Sequence, residues 1–363
     1  MHPRHASMFL CLDCLEGRLR PEALENDGER IRHGRLICEK CGRAYPIFDH
    51  VPVLFPPADA FQLMSQPERD FCQKHGIPLA GSSTVADKLA DKKDMGEKWG
   101  FQWKEVYDDL EAGRLKGHWA DDDYHQAHPW FVVTAEEHRG KSSLRLGAAN
   151  GVVCAPEMAD AADLMVHLDI SDGIHLTESH GRRYENNVFV KADITALPFP
   201  PESFDIIMSG GVLHHLPNMW GGIAAAHQMA KPGGSLRLAI YNYSPFMIYL
   251  IEPLKRRVLF PLGDRAVWHA SKLMTAMIFP FVKVVHALRH WRLVRLIPAH
   301  EHWISWGAGS HRFIFWAVYD LLHARLACYT RSTDAASFLK CLKPRRLWVE
   351  VHRQANIFIR ADK

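Results

Sequence analysis

Four cysteines near the N-terminus have the spacing of a metal-binding ribbon. Cys11 and Cys14 form one Cys-x-x-Cys pair, and Cys38 and Cys41 form a second pair after 23 intervening residues. Four thiolates can coordinate Zn²⁺ tetrahedrally, and such a site is structural because no coordination position stays open for a substrate. A segment of this size cannot be stabilised by core burial alone. We therefore expect a zinc ribbon over residues 1–55, the alternative being two unrelated pairs, one of them redox-active.

A second group of residues with possible chemistry follows the short apolar segment SSLRL. Gly147, Ala149 and Gly151 belong to the sequence GAANG that comes directly after it. A glycine-containing turn between a strand and a helix brings backbone N–H groups and a helix N-terminus close to an anionic or polar ligand. These three residues are therefore candidate contacts to a ligand.

Two aspartates come at the ends of the next apolar segments. Asp169 lies about twenty residues after the glycine turn, where a carboxylate can accept hydrogen bonds from both ribose hydroxyls of a nucleotide. Asp193 can accept a hydrogen bond from an exocyclic amine, and Ile194 beside it supplies an apolar wall. The alternative for Asp169 is a turn or helix-capping role, for which Ser171 and Asp172 are better placed.

Several strand–helix units are needed to position these residues. The apolar segments DLMVHLDIS, NVFVKADI, SFDIIMSGG and GSLRLAIYN follow one another, and most are ended by a polar or glycine residue. Such a succession predicts an α/β fold with a doubly wound parallel sheet and a ligand along its carboxyl edge. RLWVEV and NIFIRAD near the C-terminus are expected to add a hairpin.

An amphipathic helix precedes the first of these units. Trp99, Trp103, Val106 and Leu110 recur at spacings of three and four residues, which places them on one helical face. The face predicts a helix that covers the main core, or a lid over a ligand site.

The composition indicates a folded protein without a strong overall charge. Of the 363 residues, 47% are hydrophobic, and the formal net charge is +3. We expect no signal peptide, and apolar runs such as LMTAMIFPFV are too short and too interrupted by proline to predict a transmembrane helix. Because the other four cysteines are scattered, a reducing, cytoplasmic setting is the expectation.

A basic and apolar segment follows the fifth core strand. Twelve Lys or Arg and four Asp or Glu lie between Ser244 and Arg331. Residues 245–322 are therefore expected to form a helical insertion. One interpretation is a cap that binds an acidic, lipidic or membrane-held substrate, giving peripheral membrane contact. The other is a helical subdomain or dimer surface whose cations are simply solvated.

The segments ADITALPFPPESFDIIMSGGVLHHLPN and MAKPGGSLRLAIYN resemble the type-11 class I S-adenosylmethionine-dependent methyltransferases, the group that includes ubiquinone-biosynthesis methyltransferases. CLDC…LICEKCGRAYPIFDHVPVL resembles the ribbon of the small activator subunit of tRNA and protein methyltransferases. The first resemblance covers Leu144 to Asn242 and implies a seven-stranded Rossmann-like sheet that binds S-adenosylmethionine. It implies contacts from Gly147, Ala149 and Gly151 to the methionine part, from Asp169 to the ribose, from Asp193 and Ile194 to the adenine, and from Gly210 beside the sulfonium.

Two residues depart from the pattern of that family. Arg145 stands where an acidic residue ordinarily helps to hold the cofactor's ammonium group, and a cation there would repel it. Ala149 adds a methyl group where glycine lets the backbone approach the ligand. Either other groups hold the amino-acid end, or binding is weak, or the ligand is a modified or different nucleotide.

The sequence therefore predicts a methyltransferase acting on an oxygen or carbon of a small or lipid-linked acceptor. His214 and His215, after the fourth core strand, are candidate general bases.

The alternatives are a binding or scaffold protein of the same fold, or an RNA methyltransferase that docks through its ribbon. Nucleic acid is disfavoured, because the basic segment is interleaved with long apolar runs and the Asn/Asp-Pro-Pro-aromatic signature of amino-group methylation does not follow the fourth core strand. Ser209-Gly210-Gly211-Val212 stands there and favours an oxygen or carbon acceptor. The expected division is a ribbon at 1–55, a linker with covering helices at 56–135, the cofactor-binding core at 136–244, the insertion at 245–322, and a last helix with the hairpin at 323–363.

Overall fold

The computed structural model describes residues 1–79, 86–115, 133–148 and 161–363. The predicted cofactor contacts of Ala149 and Gly151 lie outside these residues. Gly147, which begins the same turn, is described.

One mixed sheet of eleven strands runs through the described part of the chain. Its spatial order is β1-β2-β3-β4-β7-β6-β5-β8-β9-β11-β10. The strands are β1 Leu19–Asp27, β2 Arg30–Cys38, β3 Ala44–Phe48, β4 Val51–Leu54, β5 Ser142–Leu146, β6 Leu164–Asp169, β7 Asn187–Ala192, β8 Phe204–Gly210, β9 Ala230–Tyr241, β10 Arg346–His352 and β11 Asn356–Asp362.

Seven of these strands form the doubly wound sheet that the sequence predicts. Strands β5 to β9 are parallel to one another, whereas β11 is antiparallel to both β9 and β10. The chain builds outward from β5 through β6 to β7, then returns to the other side of β5 with β8 and β9. The direction of winding therefore reverses between β5 and β8, which is where open α/β sheets bind their ligands.

The ribbon strands extend this sheet instead of forming a separate one. β4 pairs in parallel with β7 through Val53 opposite Lys191 and Leu54 opposite Ala192. This pairing satisfies backbone groups that the outer strand of the core would otherwise expose. Because β4 is buried along its whole length, the apolar sequence VPVL fits a strand covered on both faces. Ribbon and core consequently share one hydrophobic cluster.

The helices pack on both sides of the sheet and in the insertion. The longest, α3, contacts both the core helix α5 and the insertion helix α10, so it bridges the two parts. The helices are α1 Pro57–Leu63, α2 Gln66–Lys74, α3 Ala86–Glu111, α4 Ala135–His138, α5 Gly173–Gly181, α6 Met219–Met229, α7 Glu252–Leu254, α8 Asp264–Ala287, α9 His300–Ala308, α10 His311–His323 and α11 Ser332–Cys341.

The insertion has a hydrophobic cluster of its own. Trp316 and Ile314 of α10 are fully buried in it, together with Val282 of α8 and Val106 of α3. Helix α10 begins at a well-formed cap, since the Ser310 hydroxyl accepts a hydrogen bond from the Phe313 backbone N–H. The insertion is therefore a packed helical subdomain that α3 ties to the sheet.

Helix α8 differs from the sequence prediction. It continues for 24 residues through Pro280, so the expectation that proline breaks this apolar run is wrong. A proline inside a helix removes one backbone hydrogen bond, and neighbouring contacts can compensate for that loss. Among the described residues, α8 alone is long and apolar enough to cross a membrane, by length and composition only, and 22% of its most apolar stretch is buried within the protein.

Candidate functional site

A cavity of about 310 Å³ lies at the carboxyl ends of the parallel strands. This volume is within the range of small-molecule sites. Helix α3 covers it from one side, and helix α10 of the insertion contributes at the other. Its lining includes Gly147 after β5, Asp169 from β6, Asp193 and Ile194 after β7, Gly210 and Val212 after β8, Tyr241 from β9, Trp99 from α3 and Asp320 from α10.

The glycine turn after β5 is held against the loop after β8. Gly147 has a φ of 75°, and its N–H donates to the Leu168 carbonyl across 2.8 Å. A Cβ at Gly147 would lie 2.3 Å from Val212 Cγ2, which no side chain can tolerate. Both the backbone angle and this close approach therefore require glycine at position 147.

Asp169 combines two of the roles that the sequence left open. Its Oδ1 accepts hydrogen bonds from the Ser171 N–H at 2.8 Å and from the Ser171 hydroxyl at 2.7 Å. The residue therefore stabilises the turn after β6. It is also part of the cavity wall, at the position expected for a contact to ribose.

Asp193 is paired with a lysine that sequence reasoning does not identify. Its Oδ1 accepts from the Thr195 N–H at 2.7 Å, and its Oδ2 lies 2.6 Å from Lys92 Nζ in an ion pair. Lys92 belongs to α3 and lines the same cavity, as does Ile194. The sequence gives no signal for this pair, because the segment before Met95 has no clear periodicity and about a hundred residues separate the partners.

Two cations face the cavity beside the acidic residues. Arg145 lines it from β5 and Lys92 lines it from α3, whereas Asp169, Asp193 and Asp320 supply carboxyl groups. The cation at position 145 that distinguishes this sequence is therefore part of the candidate site. Such a mixed lining suits a ligand that carries charges of both signs.

A carboxyl group from the insertion meets a tyrosine from the sheet in the cavity wall. Asp320 accepts hydrogen bonds from Gln102 Nε2 at 3.1 Å and from the Tyr241 hydroxyl at 3.2 Å. Burial raises the pKa of Asp320 to about 6, although the two hydrogen bonds favour its charged form. Burial also raises the pKa of Tyr241 well above its usual value, so this hydroxyl stays protonated. Asp320 can therefore exchange a proton near neutral pH.

The two histidines after β8 have different surroundings. His215 lines the cavity, and its Nδ1 donates to the Leu326 carbonyl at 2.7 Å, which leaves Nε2 as an acceptor. No other atom of the described residues hydrogen-bonds that Nε2. Burial lowers the pKa of His215 to about 4. His214 lies behind it, stacked on the Tyr241 ring at a centroid distance of 3.6 Å, and is not part of the cavity lining that the described residues form.

Helix α3 contributes an aromatic wall. Trp99 and Trp103 line the cavity, and the Trp99 ring lies 5.0 Å from the ring of His215. Val106, on the same helical face, is fully buried in the insertion's cluster. The sequence left open a covering helix or a lid, and α3 both covers the core and lines the cavity.

The four N-terminal cysteines converge as a metal site requires. Cys11 Sγ lies 3.6 Å from Cys41 Sγ, and Cys14 Sγ lies 3.7 Å from Cys38 Sγ. All four sulfur atoms lie within 4.8 Å of one another. Tetrahedral zinc with bonds of about 2.3 Å requires sulfur atoms separated by about 3.8 Å, so the donor set fits Zn²⁺. A Cβ at Gly17 would lie 2.2 Å from Cys38 Sγ, which explains the glycine there.

The strand order, the antiparallel β11 and the cavity at the switch point define the fold of class I methyltransferases. Comparison with protein families agrees with this. Residues 144–238 match the model described as "Methyltransferase domain", and residues 17–49 match the model described as "Trm112p-like protein". Residues 144–238 are thus similar to a methyltransferase domain, and residues 17–49, which contain Cys38 and Cys41, are similar to a Trm112-like ribbon.

Curated relatives match about a third of this chain or less. The 27-O-demethylrifamycin SV methyltransferase of Amycolatopsis mediterranei is 34% identical over 116 residues, which cover 29% of this chain and 40% of the relative. The ubiquinone biosynthesis O-methyltransferase of Saccharophagus degradans is 29% identical over 110 residues, which cover 29% of this chain and 45% of that relative. The chain thus spans less than half the length of either protein.

Among solved structures, the comparison finds the 1,6-didemethyltoxoflavin-N1-methyltransferase of Burkholderia thailandensis. It is 12% identical to this chain, with a TM-score of 0.42, and the superposition covers 79% of this chain and 94% of that protein.

Proposed function

We propose that this protein is an S-adenosylmethionine-dependent methyltransferase that methylates an oxygen, or a carbon, of a small or lipid-linked acceptor. The observation that supports this most directly is the composition of the cavity at the strand ends. Asp169, Asp193 and Ile194 line it from the sheet, whereas Trp99 and Trp103 of α3 and Asp320 of α10 line it from the helices. A nucleotide cofactor and an acceptor would therefore be held side by side.

The residues at the strand ends fit S-adenosylmethionine. Asp169 would accept hydrogen bonds from the ribose, and Asp193 with Ile194 would contact the adenine. Arg145 would pair with the carboxylate, which is the one negatively charged group of this cofactor. When bound, the cofactor supplies a methyl carbon on a positively charged sulfur. Gly210 leaves room for the ligand, since a Cβ there would meet no atom within 4 Å, whereas Gly147 lets the turn pack against Val212.

The residues that line the cavity from the helices suit an acceptor with an acidic proton. Trp99 and Trp103 offer flat apolar surfaces that favour an aromatic ring, as in a phenol. Asp320, with its pKa near 6, would accept the proton of the acceptor hydroxyl. Tyr241 and Gln102 hold the carboxyl in place. His215 is the second candidate, although its pKa near 4 makes it a weaker base.

The relatives support an oxygen acceptor. The names of both curated relatives specify methylation at oxygen. One name refers to a rifamycin and the other to ubiquinone biosynthesis. We extend only the reaction class to this chain, because the alignments cover less than half of each relative. For the acceptor we propose, from the aromatic residues and the carboxyl group that line the cavity, a hydroxyl on an apolar ring.

The ribbon is proposed to hold one structural Zn²⁺. The four sulfur atoms have the separations of a tetrahedral site, and four protein ligands leave no position for a substrate. Reduced thiolates are needed for this, so we also propose a reducing, cytoplasmic setting.

Calorimetric titration with S-adenosylmethionine and S-adenosylhomocysteine tests the proposed function. We expect saturable binding of both, followed by transfer of labelled methyl groups to phenolic compounds in an extract of the host. Binding without transfer to any extract component would favour a scaffold role instead. No binding at millimolar cofactor would refute the enzyme.

A further inference from the structure

Exposed apolar side chains are concentrated in one part of the insertion. Of the 19 large hydrophobic residues that the described chain exposes, 13 lie between positions 246 and 296. We call residues 246–296 the apolar face segment. Its exposed members are Phe246, Tyr249, Leu250, Leu254, Val258, Leu262, Leu273, Met277, Phe281, Val284, Trp291, Leu293 and Leu296.

Helix α8 presents a continuous apolar stripe outward. Leu273, Met277, Phe281 and Val284 follow one another at spacings of four, four and three residues, and their exposed fractions are between 43% and 63%. This spacing places them on one helical face. The opposite face, which includes Ser271, is buried against the rest of the insertion. The stripe therefore points away from the protein.

The turn after α8 adds bulkier side chains. Trp291, Leu293 and Leu296 belong to or adjoin the 3₁₀ turn Arg292–Leu296, and each is more than 60% exposed. Their exposure to water is unfavourable, and burial on a partner would remove that cost. A concentration of exposed apolar side chains in one segment indicates a binding surface.

The charged side chains of the apolar face segment are almost all cationic. Its exposed basic residues are Arg256, Arg257, Arg265, Lys272, Arg289, Arg292 and Arg295. The segment contains two acidic residues. Glu252 is buried beside Lys255 at 2.7 Å, and Asp264 pairs with Lys98 of α3 at 3.1 Å. An apolar surface with a strong excess of positive charge is therefore presented to a partner.

We propose that the apolar face segment docks on the surface of an anionic lipid bilayer. Anionic headgroups complement the exposed cations while the apolar side chains enter the acyl region, and tryptophan is favoured at that boundary. A symmetric contact between two copies would bring the same cations face to face, which is repulsive. Charge complementarity thus selects the bilayer over a second copy.

The segment lies on the bilayer and does not cross it. Val267 and Val282 of α8 are buried in one cluster with Trp316 of α10, so α8 is held within the insertion by its other face. A helix with one buried and one exposed apolar face suits the interface plane.

Docking would bring the candidate site close to the lipid phase. Helix α10 packs against α8 and carries Asp320, which lines the cavity. An acceptor dissolved in the bilayer would then have a short path to the site. This consequence rests on the proposed function, whereas the docking itself does not.

Co-sedimentation of the full chain with vesicles tests the docking. We expect binding to vesicles of phosphatidylcholine mixed with phosphatidylglycerol, weaker binding to phosphatidylcholine alone, and weakening by salt. The triple variants W291S/L293S/L296S and R289E/R292E/R295E should each lower the partition coefficient at least about tenfold. The matched control L24S/F61S, which removes exposed apolar side chains elsewhere, should leave it unchanged.

Two results would overturn the docking proposal. One is the absence of sedimentation with the anionic vesicles. The other is a parent protein that light scattering shows to be a dimer and that does not bind vesicles, while both triple variants are monomers. Cofactor titration of the same variants separates the two proposals. Vesicle binding by a protein that does not bind S-adenosylmethionine would sustain the docking and refute the proposed function.

Discussion

The Tyr241 hydroxyl donates a hydrogen bond to Asp320 Oδ2 across 3.2 Å, and this contact joins the end of β9 to the insertion helix α10. Both groups line the cavity at the strand ends. The insertion is therefore part of the candidate site, since it supplies the carboxyl with the raised pKa that lies there.

Replacement of Asp320 tests its role as base. In Asp320→Asn we expect methyl transfer to fall about 10²–10⁴-fold, because the amide cannot accept the acceptor's proton. Cofactor affinity should be unchanged, since Asp320 is on the acceptor side. Asp264→Asn, which alters an exposed carboxyl on α8, is the control and should keep full activity. An active Asp320→Asn enzyme would assign the proton transfer to another group, with His215→Gln as the next variant.

The pH dependence of the rate should report the same carboxyl. Burial raises the pKa of Asp320 to about 6, so the base is charged only above that value. The rate should therefore rise with pH and level off above about pH 7, one pH unit past the midpoint. His215, with its pKa near 4, is already neutral across this window and would give no such rise. Tyr241→Phe removes a hydrogen-bond donor to the Asp320 carboxylate, so it should move the midpoint of the pH–rate profile to higher pH.

Arg145 is predicted to hold the carboxylate of the cofactor. Arg145→Asp should weaken S-adenosylmethionine binding about 10–100-fold in calorimetry, the range expected for a charged hydrogen bond. Arg145→Lys should lose less, because the charge remains. A clear gain in affinity for Arg145→Asp would instead show that this arginine hinders the cofactor.

Removal of zinc is expected to unfold more than the ribbon. Metal analysis should find about one zinc per chain. Cys38→Ser should lower the midpoint temperature of thermal unfolding, in addition to any effect on turnover. Gly17→Ala should have a similar effect, because its Cβ would lie 2.2 Å from Cys38 Sγ. Cys341→Ser, at an exposed free cysteine, serves as the control. A metal-free protein with unchanged stability would contradict the zinc site.

A buried ion pair between α2 and β7 is expected to stabilise the fold. Glu68 lies 2.7 Å from Lys191 Nζ and 3.3 Å from His175 Nε2. Burial alone would raise the pKa of Glu68, but Lys191 and His175 lower it to about 2. The pair's stabilisation is therefore present above the ordinary pKa of 4.5 and is lost as the pH falls toward 2.

Glu68→Gln tests this pair by denaturant unfolding. It should lower the free energy of unfolding by about 1.5–3 kcal/mol at neutral pH, because Lys191 loses one charged hydrogen bond but keeps Asp172 as a carboxylate partner. The loss in free energy of unfolding should become smaller as the pH falls toward 2, where Glu68 itself becomes neutral. Glu97→Gln, on the exposed side of α3, should change stability little, and an equal loss in both variants would disprove a specific role for the buried pair.

The sequence by itself determined the local features of this protein. The two Cys-x-x-Cys pairs, the succession of apolar segments and the polar residues at their ends were enough to predict a ribbon and a doubly wound sheet, and the family resemblance implied seven strands. These features depend on spacing over a few residues, which a single sequence shows directly. The proline in α8 is the local exception, because tertiary packing keeps that helix continuous.

Only the tertiary structure decided which distant residues meet. Tyr241 and Asp320 are 79 residues apart, and Lys92 reaches Thr195 beside Asp193 across 103 residues. The parallel pairing of β4 with β7 likewise joins the ribbon to the core through segments far apart in the chain. No local periodicity encodes such contacts, because they follow from how whole helices and strands bury their apolar faces against each other.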